Sequence, residues 1–279
     1  MGIKITTLIE DTSEDSRLKY EHGLSIYIET PYCNILFDTG STGNFVYNAK
    51  TLGIDLNKTN YMILSHAHYD HCGGVRKFFD QVLYYPEVYI NKYFFKNSNK
   101  FKILKDNSYK YLGIDFDENY FLQKNIPINY LQEDIFQLEH SIYLCGNFNK
   151  ETTCELENDK MLIKKGDGYV QDSFKEEITL VMDTDKGLVV LLGCSHVGVI
   201  SMLESIKRRL NKNIYAILGG THLINADEKK IKKVIKKLES MNIKLIGVSH
   251  CTGELATNSL KQLKNRFFIN CTGTHLEII

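Results

Sequence analysis

Residues 66–71 read HAHYDH, so three of the nine histidines in the chain fall with an aspartate inside six consecutive positions. Imidazole is the commonest protein ligand for borderline divalent metals, and carboxylate oxygen completes sites for zinc, iron or manganese. His66 and His68 are two residues apart, so on extended backbone both can face one way and share one ion. Asp70 and His71 lie just past the apolar run YMIL, where a loop can turn them toward a second ion. A cluster of neutral imidazoles buried without partners is costly, which favours metal binding over mere packing. His22 and His140 stand alone in the sequence, and each reads as an ordinary histidine.

The elements that must position this cluster share a pattern. An apolar strand that stops at Gly or Ser and hands over to a histidine occurs four times, as YMILSHAH, LVVLLGCSH, IYAILGGTH and KLIGVSH. Buried strands of layered α/β folds carry continuous aliphatic runs, and functional groups gather where those strands end. Four such ends bring His66, His68, His71, His196, His222 and His250 to one edge of a sheet. The stretches IKITTLIE, GLSIYIET and NILFDTG alternate as a meander ending at Asp38, with a short helix over 44–52 and another opened by Gly73-Gly74.

In the second half, LVMDT and KGLVVLLGCSH form a hairpin around 185–187. A helix over 199–210, the strand NIYAILGG, a helix over 227–241, the strand IKLIGVSH, a helix over 254–265 and a last strand FFIN follow. Ile231, Val234, Ile235 and Leu238 recur at helical spacing, so the lysines around them form the wet face of an amphipathic helix and not a nucleic-acid surface. Residues 84–147, rich in Tyr, Phe, Lys and Asn with weak periodicity, read as an insertion or lid in one domain spanning 1–279. Interleaved aromatics and lysines over 84–111 suit an anionic or nucleotide-like small-molecule substrate, a lid, or the contact surface of a homo-oligomer.

Composition narrows the classes. The 34 Lys+Arg balance 34 Asp+Glu, so no global field argues for nucleic acid or an anionic membrane. No apolar run approaches the ~20 residues of a membrane span, and the start lacks a signal-peptide core, which points to the cytoplasm. Seven cysteines at irregular spacings read as reduced thiols. Cys72, Cys194 and Cys251 each lie within two residues of a histidine of the pattern, as packing residues or as thiolate ligands.

SHAHYDHCGG, followed by GCSH and a later SH after a strand, resembles the H-x-H-x-D-H signature of the metallo-β-lactamase fold superfamily. The resemblance takes in FDTG and nearly the whole chain. DSFKEEITLVMDTDKGLVVLLGCSHVGVI and HCTGE are most similar to the branch of dihydropterin ribofuranosylaminobenzene phosphate synthase-like metallohydrolases. It implies an α/β, four-layer αβ/βα sandwich with two divalent metal ions, zinc ahead of manganese or iron. His66, His68 and His196 would hold the first metal and Asp70, His71 and His250 the second. Asp38 would stand behind the site and orient a histidine, or else serve as a turn residue.

Two departures from the family pattern stand out. The strand expected to bring a metal-bridging Asp reads IYAILGGTHL and offers His222, as metal ligand, proton donor or substrate contact. At 144–150, LCGNFNK replaces a more basic stretch of that branch. The expected reaction is hydrolysis of an ester, phosphodiester, thioester or lactone by hydroxide that two metals activate, with Asp70 orienting the nucleophile and His222 delivering the proton. The alternatives are a synthase or transferase acting on a phosphoribosyl or pterin-type substrate, and a non-catalytic metal-binding relic. His275 lies near the C-terminus, as a cap of the last strand or a substrate contact, and Gly219-Gly220 permits close backbone approach.

Overall fold

The structure is a computed structural model that describes residues 2–149 and 160–279. Its first half runs β1 (Ile3–Ile9), β2 (Ser25–Glu29), β3 (Asn34–Phe37), α1 (Asn44–Thr51), β4 (Tyr61–Ile63), α2 (Tyr69–Cys72), α3 (Val75–Phe79) and β5 (Glu87–Asn91). β6 (Lys100–Ile103), β7 (Tyr109–Tyr111), α4 (Glu118–Gln123), β8 (Ile128–Leu131), β9 (Ile135–Glu139) and β10 (Ile142–Cys145) follow. The second half holds β11 (Met161–Lys165), β12 (Gly168–Gln171), β13 (Thr179–Thr184), β14 (Gly187–Leu192), α5 (Val199–Leu210), β15 (Ile214–Gly220) and α6 (Glu228–Ser240). It closes with β16 (Leu245–Ser249), α7 (Glu254–Leu260), β17 (Phe267–Ile269) and β18 (His275–Ile278).

The strands sort into two seven-stranded sheets, in the orders β18-β1-β2-β3-β4-β5-β8 and β17-β16-β15-β14-β13-β10-β9, and a four-stranded sheet β12-β11-β6-β7. Runs such as LVVLL and AILGG are buried from both sides, as unbroken aliphatic strands require. Between the large sheets, Ile26, Phe37, Ile63, Leu180, Met182, Val189, Leu191 and Leu218 form one core. On the outer face of the second sheet lie α5 and α6, which bury Ile200, Leu203, Ile206, Val234 and Leu238. The outer face of the first sheet packs against Phe45, Phe78 and Phe121 of α1, α3 and α4. The result is the four-layer αβ/βα sandwich of the metallo-β-lactamase fold.

Three details differ from the sequence reading. The stretch 84–147 divides: β5 and β8 extend the first sheet, β9 and β10 the second, and only β6 and β7 stand apart with β11 and β12. The last helix ends at Leu260, and the following turn tightens and then breaks at Lys264, whose φ is 49°. FFIN is not the last strand, because β18 pairs antiparallel with β1 from Ile3↔Ile278 to Thr6↔His275. A four-residue strand is too short for its alternation to stand out from the loop before it.

Candidate metal centre

β14, β15 and β16 are neighbours in the second sheet and β3 lies in the first, and each hands over to a residue with left-handed backbone: Asp38 at φ 59° after β3, Ser195 at 62°, His222 at 50° and His250 at 50°. Such conformations cost a non-glycine residue of order 1–3 kcal/mol, and they persist where surrounding structure enforces them. Here each turns a polar side chain toward one region. Close approach of the strand ends demands glycine: a Cβ on Gly193 would fall 2.3 Å from Ser65 Oγ, and one on Gly220 would fall 2.6 Å from the Gly193 carbonyl.

Four overlapping groups of donors result among the described residues, two of them His66, His71 and Cys194 and Asp11, His22 and His250, and the other two hold the residues of the sequence pattern. His66, His68 and His196 offer atoms within 4.8 Å of one another, as do Asp70, His71 and His250. All six are buried. In the first group the ring centroids are 4.7–4.9 Å apart. Burial, reinforced by neighbouring positive groups, holds all three imidazoles well below their usual pKa, so they are neutral bases with a free lone pair. His68 Nε2 and both ring nitrogens of His196 have no hydrogen-bond partner. Each such atom costs roughly 1–3 kcal/mol in a buried site. A cation among the three rings would meet that unmet demand, so this donor set fits a borderline divalent metal.

The second group is charged. His250 Nδ1 lies 2.7 Å from Asp11 Oδ1, and its Nε2 lies 3.2 Å from Asp70 Oδ2. Burial opposes a charge on His250, but hydrogen bonds to Asp11 and Asp70 overcome it and raise its pKa well above normal. Burial likewise opposes ionised Asp70, and hydrogen bonds from His22 and His250 outweigh it, holding the carboxyl well below its usual range. The His250 backbone N–H donates to Glu10 Oε1 at 2.6 Å.

Asp38 is the hub behind both groups. It is fully buried and accepts from His71 Nδ1 at 2.6 Å, Ser65 Oγ at 2.6 Å and Ser65 N at 2.7 Å. A carboxylate only accepts, so His71 carries its proton on Nδ1 and frees Nε2 for a metal. Ser65 donates to Asp38, so its oxygen accepts from His66 Nδ1 at 2.9 Å; His66 Nε2 then accepts from His68 Nδ1 at 3.0 Å, which leaves the lone pair of His68 Nε2 open. The expectation that Asp38 orients a histidine holds for two.

His222 lies outside both groups but beside them. Its ring is 4.1 Å from that of His196, and it lines the same cavity as His68, Asp70, His196 and His250. Cys194 Sγ sits 3.1 Å from His71 Nε2 and forms a donor group with His66 and His71, whereas Cys72 and Cys251 donate to the backbone carbonyls of His66 and Cys194. His275 is in β18, bonded to Thr6 and Glu277, and His140 is on the surface against Ser141 and Tyr32. Of the LCGNFNK stretch, Lys150 lies outside the described residues.

Sequence reasoning missed several participants. His22 is no isolated histidine: its Nδ1 is 3.0 Å from Asp11 and its Nε2 3.2 Å from Asp70, and hydrogen bonds to these two carboxylates raise its pKa to about 9 against burial. Phe174 stacks flat on His196, centroids 3.9 Å apart at 5°. Glu177 accepts the backbone N–H groups of His196 and Val197 at 3.0 Å each, and burial pushes its carboxyl up to about 7 although those donors pull the other way. Under Phe174 lies Lys100, wholly buried, bonded to Asp172 and to Glu176 Oε1 at 2.6 Å, with Nζ 4.3 Å from the ring centre. None of these residues falls in an irregular enough run to announce itself. The acidic pair Glu10-Asp11 after β1 and the DSFKEE run before β13 were the available signals.

Known proteins resemble this chain in sequence and fold. A family model described as the metallo-beta-lactamase superfamily matches residues 19–103. The chain is 34% identical, over 95% of its length and 93% of the relative's, to 7,8-dihydropterin-6-methyl-4-(beta-D-ribofuranosyl)-aminobenzene-5'-phosphate synthase of Methanocaldococcus jannaschii. An uncharacterized protein of the same organism is 28% identical over 92% of this chain and 94% of its own. A crystal structure described as a metal-dependent hydrolase of the beta-lactamase superfamily superposes with a TM-score of 0.85 at 28% identity, covering 99% of both chains.

Proposed function

The chain belongs to the metallo-β-lactamase superfamily, in the branch that holds the Methanocaldococcus jannaschii synthase. From that premise we propose that it is a metal-dependent hydrolase of an ester, phosphodiester, thioester or lactone. In this reading His66, His68 and His196 hold one divalent ion and Asp70, His71 and His250 a second, with zinc favoured by the imidazole-rich donor set. The observation that carries the reading is the buried triad of neutral imidazoles, in which His68 Nε2 and both His196 ring nitrogens lack partners, beside a carboxylate-containing triad. A pair of bound divalent cations supplies an acidified water as nucleophile and neutralises charge developing on the substrate.

The residues of the chain do the rest. Asp38 and Ser65 fix the tautomers of His71 and His66, and Asp11 holds His250 so that its Nε2 faces Asp70. Phe174 covers one face of His196 and keeps water from it. His222, on the cavity wall next to His196, is the proposed donor of a proton to the leaving group, and Asp70 the residue that orients the nucleophile. No helix among the described residues is long and apolar enough to cross a membrane, and the proposed substrate is a small molecule.

The test is turnover of nitrophenyl esters and bis(4-nitrophenyl) phosphate by protein loaded with zinc, manganese or iron. Hydrolysis that chelation stops and that H66A and D70A lack supports the proposal, and full activity in either variant refutes it. The 34% identity to a synthase favours a second reading, transfer or synthesis on a phosphoribosyl or pterin-type substrate. Metal-loaded protein inert toward every ester but binding such a compound would move the assignment there.

A further inference from the structure

The small sheet contributes a wall to the metal cavity. Lys102 of β6 is the register partner of Met161 on β11 and of Lys110 on β7, so the three form one row across the strands. Side chains in such a row share a face, and residues two further along share it too, which adds Leu104 and Leu112. All five line the cavity of about 230 Å³ that also contains His68, Asp70, His196 and His222. The opposite face of the sheet carries Phe101, Tyr109 and Tyr169, packed on one another.

Two like charges directly opposite on neighbouring strands repel, and neither lysine has a carboxylate within salt-bridge distance among the described residues. Asp70 is the one carboxylate among the described cavity-lining residues, and it is already engaged by His22 and His250. The start of β6 is anchored beside the histidines. Lys100, two residues before Lys102 on the same strand, is locked to Asp172 and Glu176 under Phe174, which stacks on His196. Two lysines on one face of the small sheet, above an apolar strip and beside the candidate metal donors, with Lys110 Nζ 6.0 Å from the Tyr69 ring centre, are a counter-charge suited to an anion.

We propose that Lys102 and Lys110 form an anion subsite, so that the substrate carries a phosphate-type dianion on an apolar or aromatic body, apart from the bond that is cleaved. The apolar body rests on Leu104, Leu112 and Met161. A cavity of this size, below the ~300 Å³ of drug-sized pockets, takes on the order of one ring with one oxyanion. The inference rests on the hydrolase reading for the role of the bound compound, but the subsite is read by binding.

The experiment is calorimetric titration of metal-loaded protein with benzylphosphonate, a non-hydrolysable dianion, and with its neutral dimethyl ester. The double variant K102M/K110M should weaken benzylphosphonate by about tenfold per lysine and leave the neutral ester within about twofold, while K102R/K110R keeps most of the affinity. Both lysines are solvent-accessible, and unchanged metal content and melting temperature verify that the variants fold. Equal affinity of wild type and K102M/K110M, equal loss for both ligands, or no binding by wild type overturns the subsite. Lysine-dependent binding by a protein that hydrolyses no ester sinks the hydrolase reading and leaves the subsite standing.

Discussion

The two halves of the candidate metal centre keep their donors ready by opposite means. His66, His68 and His196 are neutral, shielded beneath Phe174, and in part without hydrogen-bond partners. Asp70, His71 and His250 are tied to charge: Asp38 behind His71, Asp11 behind His250, and His22 against Asp70. One half depends on excluding water, so its cost without a cation is unmet polar demand. The other satisfies itself internally, so a cation must compete with hydrogen bonds already made. The difference teaches that the same six-residue centre has a half built for affinity and a half whose loading is set by the carboxylates around it.

The strongest way to break this comparison is to remove one ligand from each half. H196A and H250A should both abolish turnover, and each should retain about one metal per chain, since the other triad is intact. Elemental analysis and activity assays check this, and two metals in either variant would remove that residue from the ligand set. Next is the scaffold of the neutral half. K100M leaves Asp172 and Glu176 buried without a counter-charge and should cost about 3–5 kcal/mol in denaturant unfolding. Stability equal to wild type would mean that the buried ion pair does not hold Phe174 against His196.

Asp38 touches both halves, so D38N should weaken metal binding at both, by about 10–100-fold in competitive chelator titration. A loss at one metal alone would restrict its role to His71. The smallest effect sharpens the comparison most. In metal-free protein, H250A leaves Asp11 and Asp70 with His22 as their one histidine partner and should cost about 1 kcal/mol more than H196A, whose ring nitrogens had no partner to lose. Melting curves of the two apo variants give the answer, and the reverse order would contradict the division drawn here.

What was legible in the sequence follows the same division. His66, His196 and His250 follow apolar strands with a recurring hand-over to histidine, so continuous aliphatic runs pointed to them, and the two-residue spacing pointed to His68. The supporting residues sit where no period exists. Asp11 and His22 belong to the loop between β1 and β2, and Lys100 meets Asp172 across 72 positions of chain. Such pairings depend on how the small sheet docks, which local pattern does not encode. The same holds for β6 and β7: Lys102 and Lys110 read as two lysines among many until antiparallel register sets them opposite each other.

The most direct measurement is the metal content of the purified protein by elemental analysis, repeated after loading with zinc, manganese or iron and removal of excess. The account predicts about two ions per chain, as two complete triads require. Protein that remains empty after loading would contradict it, and would leave the convergence of six donors as packing without a metal.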